Sequence, residues 1–347
     1  MANVQYVNRS AKVGFLQQAR GSNHWTAAND ATANYLTINA DVGITFDSGV
    51  IVDETNASGS GKLMSEQDRL YVDSTSSLPS ITYTAVATKS LLAAHLVAAF
   101  QKVTEAATTP YAKQISPVNA YVDFATNGGF LWTLAFTPSG DAVADSILLK
   151  NALLDSFEFS VDNLANGHRQ LAQTACTWKG NEMAFDNNVS GTWVAAPTTS
   201  FFNTSALGFT LDLTVGSDAF AASCWRRFTM RMVNNVFNLC PTTGGKANQF
   251  GINPELIITL DIPYNSTNFV ILGNYKSGDN VDLNFYNGAG TSDGQLNIDF
   301  PDGVLIRDPY TFEGDYSALR LEVRVQAPTA GFDAGAIKYT DTIDGTY

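Results

Sequence analysis

From residue 121 onward the chain reads almost wholly in steps of two. Residues 121–124, 130–136, 156–161, 207–215, 256–262, 281–286, 296–300 and 319–325 are runs of β-branched, aromatic and aliphatic side chains alternating with polar ones. A strand turns successive side chains to opposite faces, so this alternation gives each run one dry face and one wet face. Asn127-Gly128-Gly129, Asn287-Gly288 and Pro301-Asp302-Gly303 supply the breaks, with residue types that turns require. Residues 226–237 are read as a further strand because Phe228, Met230 and Met232 alternate. So many short runs separated by turn chemistry predict a mainly β fold, an antiparallel β-sandwich or barrel.

The period changes in one place. Over residues 89–107, Leu92, Leu96, Ala99, Phe100 and Val103 recur at three- and four-residue steps, which predicts an α-helix with one apolar stripe flanking the sheet. Pro110 ends any continuation. Residues 268–276 read as a second, short helix, with Ser266 and Thr267 as caps, Phe269, Leu272 and Tyr275 on one face and Gly278 as the stop. Residues 1–80 carry only two short apolar runs, at 35–38 and 42–52, followed by the loop Asn56-Ala57-Ser58-Gly59-Ser60-Gly61-Lys62. The expected organisation is one large domain over 1–347. Residues 1–80 form its loop-rich N-terminal arm and 81–347 its helix-flanked β core.

Composition narrows the function classes. Apolar residues make up 45% of the 347, enough for a large core, while charged residues are only 15%, against roughly 25% in ordinary soluble proteins. A surface so short of charge is expected to be partly covered by other chains. The 33 acidic and 20 basic side chains give a net charge of −13, which argues against a nucleic-acid groove or an anionic-membrane binder. The acid is concentrated: residues 1–120 hold eight basic and nine acidic side chains, residues 121–347 hold 12 and 24. Cys176, Cys224 and Cys240 have neither disulfide-framework nor zinc spacing and read as buried thiols. The first residues lack the apolar core of a signal peptide, and residues 91–100, the most apolar stretch, are half the length of a membrane span. A soluble product without Sec targeting or a membrane partner is expected.

Motifs that carry chemistry are scarce. Asp47-Ser48-Gly49 resembles half of an aspartic-protease site, but Asp344-Gly345-Thr346, its nearest partner, lies at the extreme C-terminus; a hairpin turn is the preferred reading. Gly59-Ser60-Gly61-Lys62 lacks the hydroxyl residue and first glycine of a phosphate loop. His24, His95 and His168 are scattered, and His95, on the apolar stripe, is read as a packing residue. No metal, cofactor or catalytic residue is expected. Trp25, Trp132, Trp178, Trp193 and Trp225 would serve an alternative reading, a virion-surface or extracellular β-sandwich that stacks on carbohydrate; that needs exposed rings. The anomaly is acidic. Asp279, Asp282, Asp293, Asp299, Asp302, Asp308, Glu313 and Asp315 fall within residues 279–315, opposed only by Arg307. Calcium-loop spacing is absent. A solvated acidic wall would repel phosphate backbones and let nucleic acid pass without adhering.

In three stretches the chain resembles the tail tube proteins of long-tailed bacteriophages, the major tail protein family. Residues 85–111 place a helix before a polar loop. Residues 147–183 place a buried segment before Ser156-Phe157-Glu158-Phe159-Ser160-Val161-Asp162-Asn163. Residues 254–327 contain Leu296-Asn297-Ile298-Asp299-Phe300-Pro301, similar to the family's L-x-I-x-F-P strand, and then a closing strand at 319–325. The resemblance implies a β-sandwich with a flanking helix and six copies per ring. Rings would stack into a hollow tube whose lumen barrel is completed by strands of every subunit. It further implies a virion structural protein, non-enzymatic, assembled in the host cytoplasm, that contacts itself and the tape measure, terminator and baseplate or tip proteins. Viral DNA passes through its lumen during ejection, and the eight acidic residues above are the candidates to face it.

Overall fold

The alternating runs at 130–136, 156–161, 207–215, 256–262, 281–286, 296–300 and 319–325 overlap strands, and these pair almost entirely antiparallel, while residues 121–124 lie outside the described residues. The computed structural model describes residues 12–17, 34–39, 41–45, 50–51, 71–72, 78–105, 111–116, 131–137, 146–162, 172–180, 182–186, 192–195, 208–220, 225–238, 249–251, 254–266, 268–270, 280–288, 294–306, 310–313, 316–326 and 336–341. One ladder orders most of them: Asp41–Thr45, Ser80–Val86, Gln173–Lys179, Ser146–Asp162, Arg227–Val233, Glu255–Pro263, Tyr316–Val325, Leu296–Leu305, Val281–Tyr286, Thr210–Val215 and Asp218–Phe220. From Leu296–Leu305 a branch continues through Ile337–Asp341 and Tyr111–Ser116 to Lys102–Glu105. Among the described residues the ladder does not close on itself. Among the described residues the fold is mainly antiparallel β with one α-helix.

Two long strands join the layers. Ser146–Asp162 pairs through its first half with Glu182–Asp186 and Trp132–Thr137, and through its second half with Gln173–Lys179 and Arg227–Val233. The change of partner falls where Asn151 takes φ +50° and the register shifts, a bulge that redirects the strand. Leu296–Leu305 does the same and runs through Pro301-Asp302-Gly303, where a turn was expected. Here Asn280 stitches the bend: its Nδ2 donates to the Pro301 carbonyl at 2.8 Å, and its Oδ1 accepts from Gly303 N at 3.2 Å. The strand Lys12–Gln17, inside the expected N-terminal arm, pairs on both sides and buries Val13 and Phe15. Asn34–Asn39 makes a parallel pair with Thr192–Ala195.

The helix departs from expectation in two ways. It spans Lys89–Phe100. Thr88 caps its start, its Oγ1 accepting from Leu91 N at 3.2 Å. Gln101 ends it in the left-handed region at φ +61°, after which the β-branched Val103 and Thr104 pair with Ile115 and Gln114. The second correction concerns its surroundings. Every residue from Leu91 to Phe100 is buried, so the helix is enclosed on all sides, as an all-round apolar helix must be. It packs against Ser146–Asp162, Ile337–Asp341, Tyr111–Ser116 and Lys102–Glu105. Other elements bond it near both ends: Tyr339 Oη donates to the Lys89 carbonyl at 2.6 Å, and Asn234 Nδ2 supplies a donor to the otherwise unpaired C-terminal Ala99 carbonyl at 3.0 Å. At residues 268–276 the described part is a 3-10 turn, Asn268–Val270, capped by Asn265 Oδ1.

Candidate functional site

Alternation gives the main ladder a dry face on the helix and a polar face away from it. Gly43, Thr82, Thr177 and Ser156 are successive register partners across four strands, and Thr84, Ala175, Glu158 and Arg231 form the adjacent row. Small side chains beside the larger Glu158 and Arg231 leave a recess of about 340 Å³. Gly43 is needed there: a Cβ would stand 2.6 Å from Thr82 Oγ1, which donates to the Gly43 carbonyl. Further along the face Asp162, Arg227, Asp261 and Arg320 lie opposite one another in series. Asp261 is 1% exposed and held by two bonds from Arg320, Nε to Oδ1 at 2.8 Å and Nη2 to Oδ2 at 3.0 Å. Arg227 adds longer contacts to Asp261 at 3.6 Å and Asp162 at 3.5 Å.

The acidic candidates gather at the far arm of the same ladder. Asp212, Asn284 and Asp299 are register partners across three strands. Asp282 and Asp299 are exposed and Asp302 is half-buried. Asp282 has its carboxyl pushed above the ordinary range, first by partial burial, then by the charges of Asp299 and Asp302. Asp302 Oδ1 accepts from Asn280 Nδ2 at 3.2 Å. The fold thus brings together three of the eight. Asp279, Asp293, Asp308 and Asp315 lie outside the described residues, as does the side chain of Glu313, the last residue of the strand Tyr310–Glu313. Asp212 was missed because it lies some 70 residues from the cluster; only the Thr210–Val215 register brings it in. Its hydrogen bond to Tyr286, followed by its charge, raises the Tyr286 phenol.

A second constellation lies inside. The His95 imidazole sits in a cage of Phe15, Tyr83, Phe157 and Trp178, with ring centroids 5.6, 5.7, 6.0 and 6.4 Å away. Its Nε2 is hydrogen-bonded to Tyr83 Oη at 2.5 Å, and Trp178 Nε1 donates to the same oxygen at 3.0 Å. Complete burial pushes the imidazole down to about 3. Burial likewise raises the Tyr83 phenol and the Cys176 thiol, which are hydrogen-bonded to each other. A buried neutral thiol is a poor nucleophile. The sequence reading of His95 and Cys176 as packing residues agrees with their burial; the network joining them was not foreseen.

Trp132, Trp178 and Trp225 are buried, so these rings offer no stacking platform. Trp25 and the Trp193 side chain lie outside the described residues, as do Asp47, the 59–62 loop, His24 and His168. Among the described residues no group of three or more His, Cys, Asp or Glu side chains is placed to hold a metal ion, and no helix is long and apolar enough to cross a membrane. The fold and its faces define a class: a mainly antiparallel β protein with an enclosed helix and a polar outer sheet surface ending in a carboxylate cluster. Compared with known protein-family models and with curated proteins, the chain matches none.

Proposed function

We propose that this chain is a structural subunit of a bacteriophage tail tube, non-enzymatic, assembling with copies of itself into stacked rings around a DNA-conducting lumen. The observation that carries the reading is the long antiparallel ladder that stays open among the described residues. Open ladder ends present unpaired N–H and C=O groups, which a neighbouring copy can pair. A head-to-tail contact of that kind closes into a ring, and a non-closing axial contact then stacks rings into a filament. The carboxylates of Asp212, Asp282, Asp299 and Asp302 support a wall that repels phosphate, and the 15% charged composition suits a subunit covered on several sides. Tape measure, terminator and baseplate or tip proteins would be its partners, and the virion tail its place.

The test is negative-stain electron microscopy of the purified full chain at several concentrations. Hollow rings or tubes with an axial repeat near one subunit's thickness are expected. A monodisperse monomer at every concentration overturns the proposal.

A further inference from the structure

The cage around His95 has a consequence for acid. The helix is tied to two strands through one hydroxyl: Tyr83 Oη on Ser80–Val86 is bonded to His95 Nε2 and accepts from Trp178 Nε1 on Gln173–Lys179. The other imidazole nitrogen, Nδ1, is buried and has no hydrogen-bond partner among the described residues. Neutral imidazole tolerates this arrangement at the cost of one unmade hydrogen bond. Imidazolium does not, because it carries a full charge and an N–H at Nδ1 into a place with nothing to receive either.

Among the described residues no charged side chain acts on the ring. Ser80–Val86 presents Tyr83, Gln173–Lys179 presents Cys176 and Trp178, Ser146–Asp162 presents Phe157 and Lys12–Gln17 presents Phe15. Tyr339, on another strand packed against the helix, donates to the Lys89 carbonyl. Lys113 is buried on the Tyr111–Ser116 strand, which also packs against the helix, and it brings no carboxylate to the ring. Burial alone accounts for the low proton affinity of His95.

We propose that His95 is a built-in acid trigger: one proton taken up by the imidazole, which then carries an N–H on both ring nitrogens, drives the enclosed helix off the Tyr83–Trp178 seam and opens the core. The ring can be solvated only by admitting water between helix and sheet. Because the helix is buried on every side, that opening is not confined to a loop. Tyr83 is also the register partner of Val42 on Asp41–Thr45, the ladder's end strand, so loss of the seam loosens that strand as well. The sign is fixed by linkage. The folded state holds His95 neutral to about 3, whereas the unfolded chain protonates it near ~6.5. Stability is therefore independent of this group above that pH and falls as pH drops toward the folded value. The inference does not depend on the tube reading.

The test compares the full-length wild type with His95→Phe and His95→Gln in urea unfolding at pH 7, 6, 5 and 4, followed by near-ultraviolet circular dichroism. Carboxylate titration is common to all three proteins and cancels. Relative to His95→Phe, the wild-type folding constant is expected to fall about tenfold per pH unit below 6, about a hundredfold between pH 6 and 4. In the folded wild type, long-range nitrogen NMR should find the His95 ring neutral at pH 5. Parallel pH profiles for wild type and His95→Phe overturn the proposal, as does a ring that titrates near ~6.5 while the fold persists. Should His95→Phe fail to fold, His95→Gln and the NMR titration, which needs no variant, give the same two answers.

Discussion

Replacing Arg320 by methionine tests whether the ladder's charged row stabilises the fold. Asp261 is 1% exposed, and both its oxygens accept from Arg320, at 2.8 and 3.0 Å. Methionine keeps most of the apolar stem and deletes the guanidinium, leaving Arg227 in contact with Asp261 at 3.6 Å. Removing one partner of a buried pair costs about 3–5 kcal/mol, because the remaining charge stays desolvated. Two features lower that here. Arg320 is itself 42% exposed, so water partly screens the pair, and Arg227 can move closer. About 2 kcal/mol is the expected loss. The assay is urea unfolding at neutral pH, followed by circular dichroism and tryptophan fluorescence so that coincidence of the two curves checks two-state behaviour. Adding Asp261→Leu to Arg320→Met should restore most of the stability, since removing both members leaves no stranded charge. A cost below about 0.5 kcal/mol for Arg320→Met, the range of ordinary surface substitutions, refutes the reasoning. So would a double variant less stable than either single one.

Two other substitutions read different links. Thr88→Ala removes the acceptor for Leu91 N at a buried helix start and should cost about 1 kcal/mol in the same urea assay, with Thr88→Ser near wild type; a loss within error of zero would show that the cap is dispensable. Asp282→Asn relieves a carboxyl disfavoured by partial burial and by Asp299 and Asp302. A raised folded pKa means stability is fully present at low pH and lost as pH rises through that value. The variant should therefore gain a few tenths of a kcal/mol, about the worth of an exposed charge pair, at pH 7 but not at pH 3, and less in high salt. A gain that is unchanged at low pH would remove charge as its cause.

Local patterning was legible wherever one neighbour decided the outcome. Val281–Tyr286 has the bounds its alternation predicts, and residues 256–262 lie within Glu255–Pro263. The errors fall where the chain's own period and its tertiary partners disagree. Val103 continues the helical spacing, yet it pairs with Ile115 once Gln101 has turned the backbone. Pro301-Asp302-Gly303 has turn chemistry, yet the strand passes through because Asn280 takes the bond positions at the bend. Lys12–Gln17 offers only Val13 and Phe15 as alternating apolar residues, too few to announce a strand that two neighbours nevertheless hold. Of the acidic candidates, adjacency in sequence was visible, while Asp212 could enter only through strand register.

By itself the sequence determined what each segment is, since alternation at two or at three and four residues is a property of a single element. Mainly β structure, an apolar helix starting at Lys89 and an acidic C-terminal two-thirds follow from it directly. Tertiary structure decided what each segment faces. That made the helix an enclosed core element, set Asp261 between two arginines, and placed His95 against Tyr83 and Trp178. The physical reason is that burial and partner choice are fixed by pairings between residues tens to hundreds of positions apart, and no local period records them. Proton affinity, charge pairing and any acid response depend on those surroundings.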